Sequence, residues 1–591
     1  MGRAMVVPPP RWRGALALAL LVAVGLAIRL WLLPRMWVNP DEGAHLMDGR
    51  LVLDGLVPGA DYSARQPLYV YALALWLRLF GDSLFAARAL MVALDAGVGV
   101  LTYLIGRRLF DVRTGLVAAG ILLLLPFSAV WAPRVHTEPL STVLAALGVY
   151  LVIRAVQGSG GALALAGAGA CFALGFYVRQ SSLALPLATA LVLVVRHGRK
   201  PRPILRDGAW LAGGFVAVAG LAIALYSRRL SAADLWAGPV NPLSLVWEAL
   251  VRIRDLVGGA AARTGANPSD GFRVGTQSWA RTLVYLRQVV SLNSVLLAGF
   301  AVFLAEAVVR IARPSAARPP AAGGFALAAA VLVGWSGCLA LLYGYWVVHR
   351  GFFPQYFTEF LPPLAIGLAQ VLVKGWDSWR GEPGLGPVRD LLPAIGAAAC
   401  AIWLGSELPL RSYLGRAGLL AVVGLAATVT LLAAAWRRGR PKAARAAVAA
   451  TLLGLAGANL LASGRSLRSS YEGPWTPATL EATAAYLRAH GAPGDEVMSG
   501  AVIWEFAAGL RPFAGISHPL EFLGGIDPED RPLIERWLAR QPPRFVVLDG
   551  YTELAYLRHL PDLARLLAER YQEVAVVPGS PKPVRIYARR S

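Results

Sequence analysis

Runs of about 20 apolar residues, separated by short polar stretches, fill the first 465 positions of the chain. A helix of roughly 20 mostly apolar residues is what a bilayer core requires. About thirteen such runs occur, near 14–33, 84–106, 114–132, 138–156, 161–178, 182–196, 208–226, 283–309, 323–347, 353–373, 390–408, 413–435 and 445–462. Arg179 and Gln180 interrupt the pattern between 161 and 196.

Four stretches depart from it: a first loop at 34–83, the turn Ala132 to Pro139, a long loop at 227–282, and a tail from about 470. In the first loop Asn39 is placed to cap a helix opened by Pro40, Asp41 and Glu42. Ala44, Met47 and Leu51 then repeat at helical spacing, which predicts an amphipathic helix at the membrane surface. Pro67 to Phe80 predicts a second helix, with Tyr69, Tyr71 and Trp76 as interfacial aromatics. Val246, Leu250, Ile253 and Val257 suggest a third, and 264–271 is turn-rich. The tail changes period. Helical stretches at 480–490, 532–540 and 553–570 alternate with short strands at 544–549, 574–577 and 584–587, the pattern of a small α/β domain. The expected organisation is therefore an all-α polytopic membrane domain over 1–465 and an α/β domain over 470–591.

Composition narrows the class. Of 591 residues 56% are hydrophobic and only 16% charged, with a mean hydropathy of +0.54. A soluble core stops growing near about 250–300 residues, so one soluble domain is excluded, and so is disorder. The formal charge of +22 has a topological explanation. With the N-terminus inside, alternate loops collect Arg107, Arg108 and Arg113, then Arg196 to Arg206, Arg310 to Arg318, Lys374 to Arg389, and Arg437 to Arg445. This is the positive-inside bias, not a nucleic-acid footprint. It places the four polar stretches and the C-terminal domain outside the cytoplasm, in a plasma (inner) membrane. The first run lacks a small-residue cleavage site and reads as an uncleaved span. Cys171, Cys338 and Cys400 lie within apolar runs and form no metal or disulfide framework.

The candidate chemistry sits in the polar turns. Asp41 and Glu42 are accounted for by helix-start charge alone; the functional reading is a general base beside the headgroups. Glu138 follows Arg134, His136 and Thr137, where Thr137 is a potential cap and Arg134 a potential phosphate holder. Asp95 lies inside a span, with Arg88 seven residues earlier on the same face as its expected partner. Glu306 is expected to be snorkelling or paired. His349, Arg350, Tyr356 and Glu359 surround a late turn between spans. His518 reads as a surface histidine. No ATP-binding or zinc-peptidase motif occurs.

Taken in order, Asn39-Pro40-Asp41-Glu42, Gln66-Pro67-Leu68-Tyr69, Leu79-Phe80-Gly81, Ala87-Arg88, Gly106-Arg107-Arg108-Leu109-Phe110 and Thr137-Glu138-Pro139 resemble bacterial GT-C glycosyltransferases of the protein O-mannosyltransferase and aminoarabinose-transferase type. Phe353 to Pro363 is similar to that family's late aromatic-proline segment. The resemblance implies inverting transfer of a sugar from a polyprenyl-phosphate-linked donor to a lipid, glycan or protein acceptor. It assigns Asp41, its neighbour Glu42, and Glu138 to catalysis, and Arg134 to the donor phosphate; His349, Arg350 and Tyr356 match more loosely. No cofactor is implied. The adjacent acids are not a spaced Asp-x-Asp, which leans away from a metal without excluding one. A flippase for lipid or sugar and a non-catalytic envelope scaffold are the alternatives. The first would distribute ionisable groups along the spans, where this chain has mainly Asp95.

Overall fold

The computed structural model describes residues 11–62, 64, 66–198, 200–237, 240–244, 279–312, 322–350, 352–379, 475–524, 526, 531–579 and 583–590. The expected spans at 390–408, 413–435 and 445–462, and the expected loop helix at 246–257, lie outside these residues.

The described part of the membrane domain is built of helices: α1 (Arg11–Leu32), α2 (Pro40–Leu53), α3 (Pro67–Phe80), α4 (Leu84–Leu109), α5 (Val112–Leu124), α6 (Pro126–Trp131), α7 (Glu138–Val156), α8 (Gly161–Phe176), α9 (Ala184–His197), α10 (Pro201–Tyr226), α11 (Ala232–Ala237), α12 (Trp279–Leu292), α13 (Ser294–Ala312), α14 (Ala322–Arg350) and α15 (Leu361–Trp379). Among the described residues seven helical segments are long and apolar enough to cross a membrane. The run read as one span at 114–132 is divided into α5 and α6, because Pro126 opens a new helix after the extended Leu125. The run at 283–309 bends by 71°. Asn293 sits at the break and turns its side-chain amide onto the Val289 carbonyl at 2.9 Å, the local competition that interrupts helices. Helices α8 and α10 meet backbone to backbone at Gly169 and Gly214, where a Cβ would overlap the Leu211 and Ala166 carbonyls.

The tail forms α16 (Pro477–His490), β1 (Glu496–Ser499), α17 (Ile503–Ala508), β2 (Arg511–Pro512), α18 (Arg531–Arg540), β3 (Phe545–Leu548), α19 (Pro561–Arg570), β4 (Tyr571–Val577) and β5 (Val584–Arg589). Its mixed sheet has the order β2-β1-β3-β5-β4, with β1 parallel to β2 and β3, and β5 antiparallel to β3 and β4. The two short strands β1 and β2 were not expected.

The α/β domain rests directly on the first loop. Val38, Leu46, Met47, Tyr69 and Leu73 share one buried cluster with Trp475, Ile503, Trp504 and Phe506. The Val38 amide donates to the Trp475 carbonyl at 2.8 Å. Gly43 permits this approach, since a Cβ there would strike the backbone of Ile503. Helix α2 consequently does not lie on a lipid surface. From Pro40 to Gly49 every residue is buried except Asp41, which is half-buried. The helix is sandwiched because its polar side chains find partners within the protein.

Candidate functional site

Two chain segments build the site, the start of α2 and the turn from Trp131 to Glu138. Helix α2 opens with a capping box: the Asp41 amide donates to Asn39 Oδ1 at 3.0 Å, and Glu42 Oε2 accepts from the Asn39 amide at 2.9 Å. The cap aims the two adjacent acids apart. Glu42 is fully buried and holds Arg88, with Oε2 2.6 Å from Nη2 and Oε1 2.8 Å from Nε. Glu42 Oε1 also accepts from the Val135 amide at 3.0 Å. It therefore ties α2 to α4 and to the second turn. Burial alone would push its carboxyl up, but the Arg88 charge and these hydrogen bonds hold it below its ordinary value. Asp41, by contrast, is half-buried.

The expected Arg88–Asp95 pair does not form. Arg88 is taken by Glu42, and Asp95 pairs with Arg29 of α1 at 2.6 Å, two nearly inaccessible groups inside the membrane domain. Helical spacing placed Arg88 and Asp95 on one face, but seven residues span about 10 Å of helix, and each charge found a closer partner on another helix.

The second turn carries Arg134. Its guanidinium is completely buried and lies between two indoles, 4.3 Å from the Trp37 ring centroid and 4.4 Å from that of Trp131. Among the described residues none of its three nitrogens has a hydrogen-bond partner. Burial, reinforced by the like charge of Arg88 and opposed by Glu42, draws its pKa down to about 9. The buried Trp131 Nε1, Tyr69 hydroxyl and His136 Nε2 are also without hydrogen-bond partners among the described residues. Tyr69 faces Glu138, Glu42 and Asp48, and burial together with these charges keeps it firmly protonated. Its environment is the site interior rather than the membrane interface.

Glu138 begins α7 and is buried. Thr137 does not cap that helix. Its hydroxyl accepts from Arg179 Nη1 at 3.0 Å and lies 3.4 Å from Glu138 Oε2. Arg179 bridges two acids, Glu138 at 2.9 Å and Glu359 at 3.3 Å, and stacks 4.4 Å over the Tyr356 ring. Glu359 also accepts from Ser181 and from the Tyr343 hydroxyl. Sequence reasoning registered Arg179 only as an interruption. The available signal was a cation breaking an apolar run beside acids from other turns. Tyr356 joins this second cluster; the side chains of His349 and Arg350 lie outside the described residues. Glu306 is paired with Arg310 at 2.5 Å and Lys374 at 3.3 Å.

His518 is not a surface histidine. It is buried, with Nε2 2.7 Å from Asp48 Oδ2, while the Ser517 hydroxyl donates to Asp48 Oδ1 at 2.7 Å. Among the described residues no three His, Cys, Asp or Glu side chains are placed to hold a metal ion.

Residues 64–226 match the family model described as dolichyl-phosphate-mannose-protein mannosyltransferase. The oligosaccharyltransferase of Archaeoglobus fulgidus in its apo form superposes with a TM-score of 0.50 at 14% identity, over 98% of this chain and 75% of that one. ArnT from Cupriavidus metallidurans bound to undecaprenyl phosphate gives a TM-score of 0.49 at 16% identity, over 96% and 97% of the two chains. No curated protein sequence matches. The matched family segment includes Tyr69, Arg134, Glu138 and Arg179. The chain thus shares its fold with the Archaeoglobus fulgidus oligosaccharyltransferase, and residues 64–226 carry its likeness to the mannosyltransferase family.

Proposed function

We propose that the protein transfers a sugar, with inversion, from a polyprenyl-phosphate-linked donor to an acceptor hydroxyl on the external face of the plasma membrane. The observation that carries this reading is Arg134: a buried guanidinium with no hydrogen-bond partner among the described residues, held between two indoles in the turn that abuts α2. Burying such a charge is costly unless a partner arrives, and an arginine suits a phosphate. The other cations of the site, Arg88 and Arg179, are already occupied by Glu42, Glu138 and Glu359.

The acceptor oxygen forms a bond to the anomeric carbon as the bond from that carbon to the phosphate oxygen breaks. The proton passes to Asp41, whose carboxylate is the half-buried one. The electron pair leaves with polyprenyl phosphate, whose charge rises from one to nearly two. Arg134 interacts more strongly with that product-like charge than with the diester, which is the differential stabilisation that accelerates a reaction. Glu42 and Glu138 orient the two segments and keep their partners in place. The reading requires no metal, since Arg134 and the polar groups of Tyr69, Trp131 and His136, which have no hydrogen-bond partner among the described residues, serve the phosphate. Its sidedness is supported by Arg107, Arg108 and Arg113, which lie at the far ends of α4 and α5 from the site.

Transfer of labelled sugar from a polyprenyl-phosphate donor, measured in reconstituted vesicles, tests the assignment. Arg134→Ala should lower kcat by about 10²–10³-fold, the loss typical for one preorganised oxyanion donor. Activity at the wild-type level in Arg134→Ala or Asp41→Asn overturns it.

A further inference from the structure

We infer that the C-terminal domain is part of the transferase site, and that His518 and Ser517 are positioning residues for Asp41. The inference rests on Asp41 being the base. Asp41 and Asp48 are seven residues apart on α2, two turns along nearly the same face. Asp48 is fully buried and both its carboxylate oxygens are taken by the tail, Oδ1 by Ser517 and Oδ2 by His518, each at 2.7 Å. A charged acceptor held by two directed hydrogen bonds sets both the rotation and the height of a helix, which apolar packing alone does not.

Independent contacts hold the same helix. Arg50 donates to the Phe506 carbonyl at 2.7 Å and stacks 4.1 Å over its ring. Gly43 lies against Ile503, and the ring of His45 packs edge-on against His518 at 6.1 Å and against His136 at 6.3 Å. The three histidines thus link the tail, α2 and the turn that carries Arg134. Without the tail, α2 keeps the Glu42–Arg88 anchor and the Arg50–Asp82 pair but loses both hydrogen bonds to the Asp48 carboxylate, and with them the fixed rotation that aims Asp41 at the acceptor.

The test uses the full-length chain in vesicles. His518→Ala and Asp48→Ala should each lower kcat by about 100-fold, the cost of a small misplacement of a reacting group. KM for the polyprenyl-linked donor should stay within about twofold, since that substrate binds at Arg134. The double variant should be no slower than either single one. His518→Gln, which keeps a donor at the end of the side chain, should recover most of the rate. Retained donor KM excludes simple misfolding. Wild-type kcat in His518→Ala, additive losses in the double variant, or a raised donor KM with unchanged kcat each overturn the inference. Asp41→Asn run in parallel separates the two claims. If it is inactive while His518→Ala is unimpaired, only the positioning role fails; if it is active, the assignment of the base fails.

Discussion

Replacing Arg134 with Met should slow transfer by about 10²–10³-fold, as alanine should, and yet stabilise the empty protein. The guanidinium is wholly buried with no hydrogen-bond partner among the described residues, and its pKa is drawn down to about 9. From an arginine's ordinary value, a displacement of that size corresponds to about 5 kcal/mol disfavouring the charged form. The Trp37 and Trp131 rings offset it by about 1–2 kcal/mol each in a desolvated setting, which leaves a net penalty of about 1–3 kcal/mol. The sign follows from linkage. Below about pH 9 folded and unfolded chains both carry the proton, so the penalty is fully present at neutral pH. It is relieved only as pH rises through 9 and the folded state gives up its charge. Methionine fills a similar volume without the charge. The assay is thermal unfolding in detergent at pH 7, with and without polyprenyl phosphate. The Met variant should melt above wild type when empty. Wild type should gain about 2.7 kcal/mol at a ligand concentration of 100 Kd, and the variant should gain nothing. A variant that melts lower than wild type when empty, or responds equally to the ligand, would refute the argument.

Asp41 and Glu42, although adjacent, should behave oppositely on substitution: Asp41→Asn leaves expression and melting near wild type and removes activity, while Glu42→Gln strands the Arg88 charge and costs about 3–5 kcal/mol, read as loss of folded protein by fluorescence-detected size exclusion. Glu42 also fixes an acid limit. Its carboxyl is held below the ordinary value, so its contribution is complete above that value and is lost as pH falls through the lower, folded one; the difference in melting between wild type and Glu42→Gln should persist at pH 5 and shrink only under stronger acid. Within the membrane, Asp95→Asn should destabilise by leaving Arg29 unpaired, and Arg29→Met with Asp95→Leu should restore most of the folded yield, since a buried pair replaced by apolar groups of similar volume is close to neutral.

The elements with strong local signals were readable from the chain. Asn39-Pro40-Asp41-Glu42 specified the start of α2, the bounds of α3 coincide with Pro67–Phe80, and the apolar runs of β3 and β5 lie where they were expected. Strands β1 and β2 were not, because four and two residues carry too little alternation to register. Partner choice was the least legible. Spacing within one helix proposed Arg88 for Asp95, whereas the partners, Arg29 and Glu42, come from segments whose approach only tertiary packing determines. For the same reason Arg179 was invisible as a bridge and His518 as a buried group. The turn from Arg134 to Glu138 was a candidate site in the sequence, but the absence of hydrogen-bond partners for the arginine among the described residues is a property of space, not of sequence.

The joint between α2 and the tail has a consequence for synthesis. Arg50 and Phe506, which touch in the finished protein, are 456 residues apart in the chain. At 5–20 residues per second the first waits roughly 20–90 s for the second to be made. Throughout that interval Asp48 has neither of its two tail donors, and α2 lacks the cover of Trp475, Ile503, Trp504 and Phe506. The carboxylate proposed as the base is thus made early, and the proposed alignment of its helix comes last, after most of the helices have been threaded.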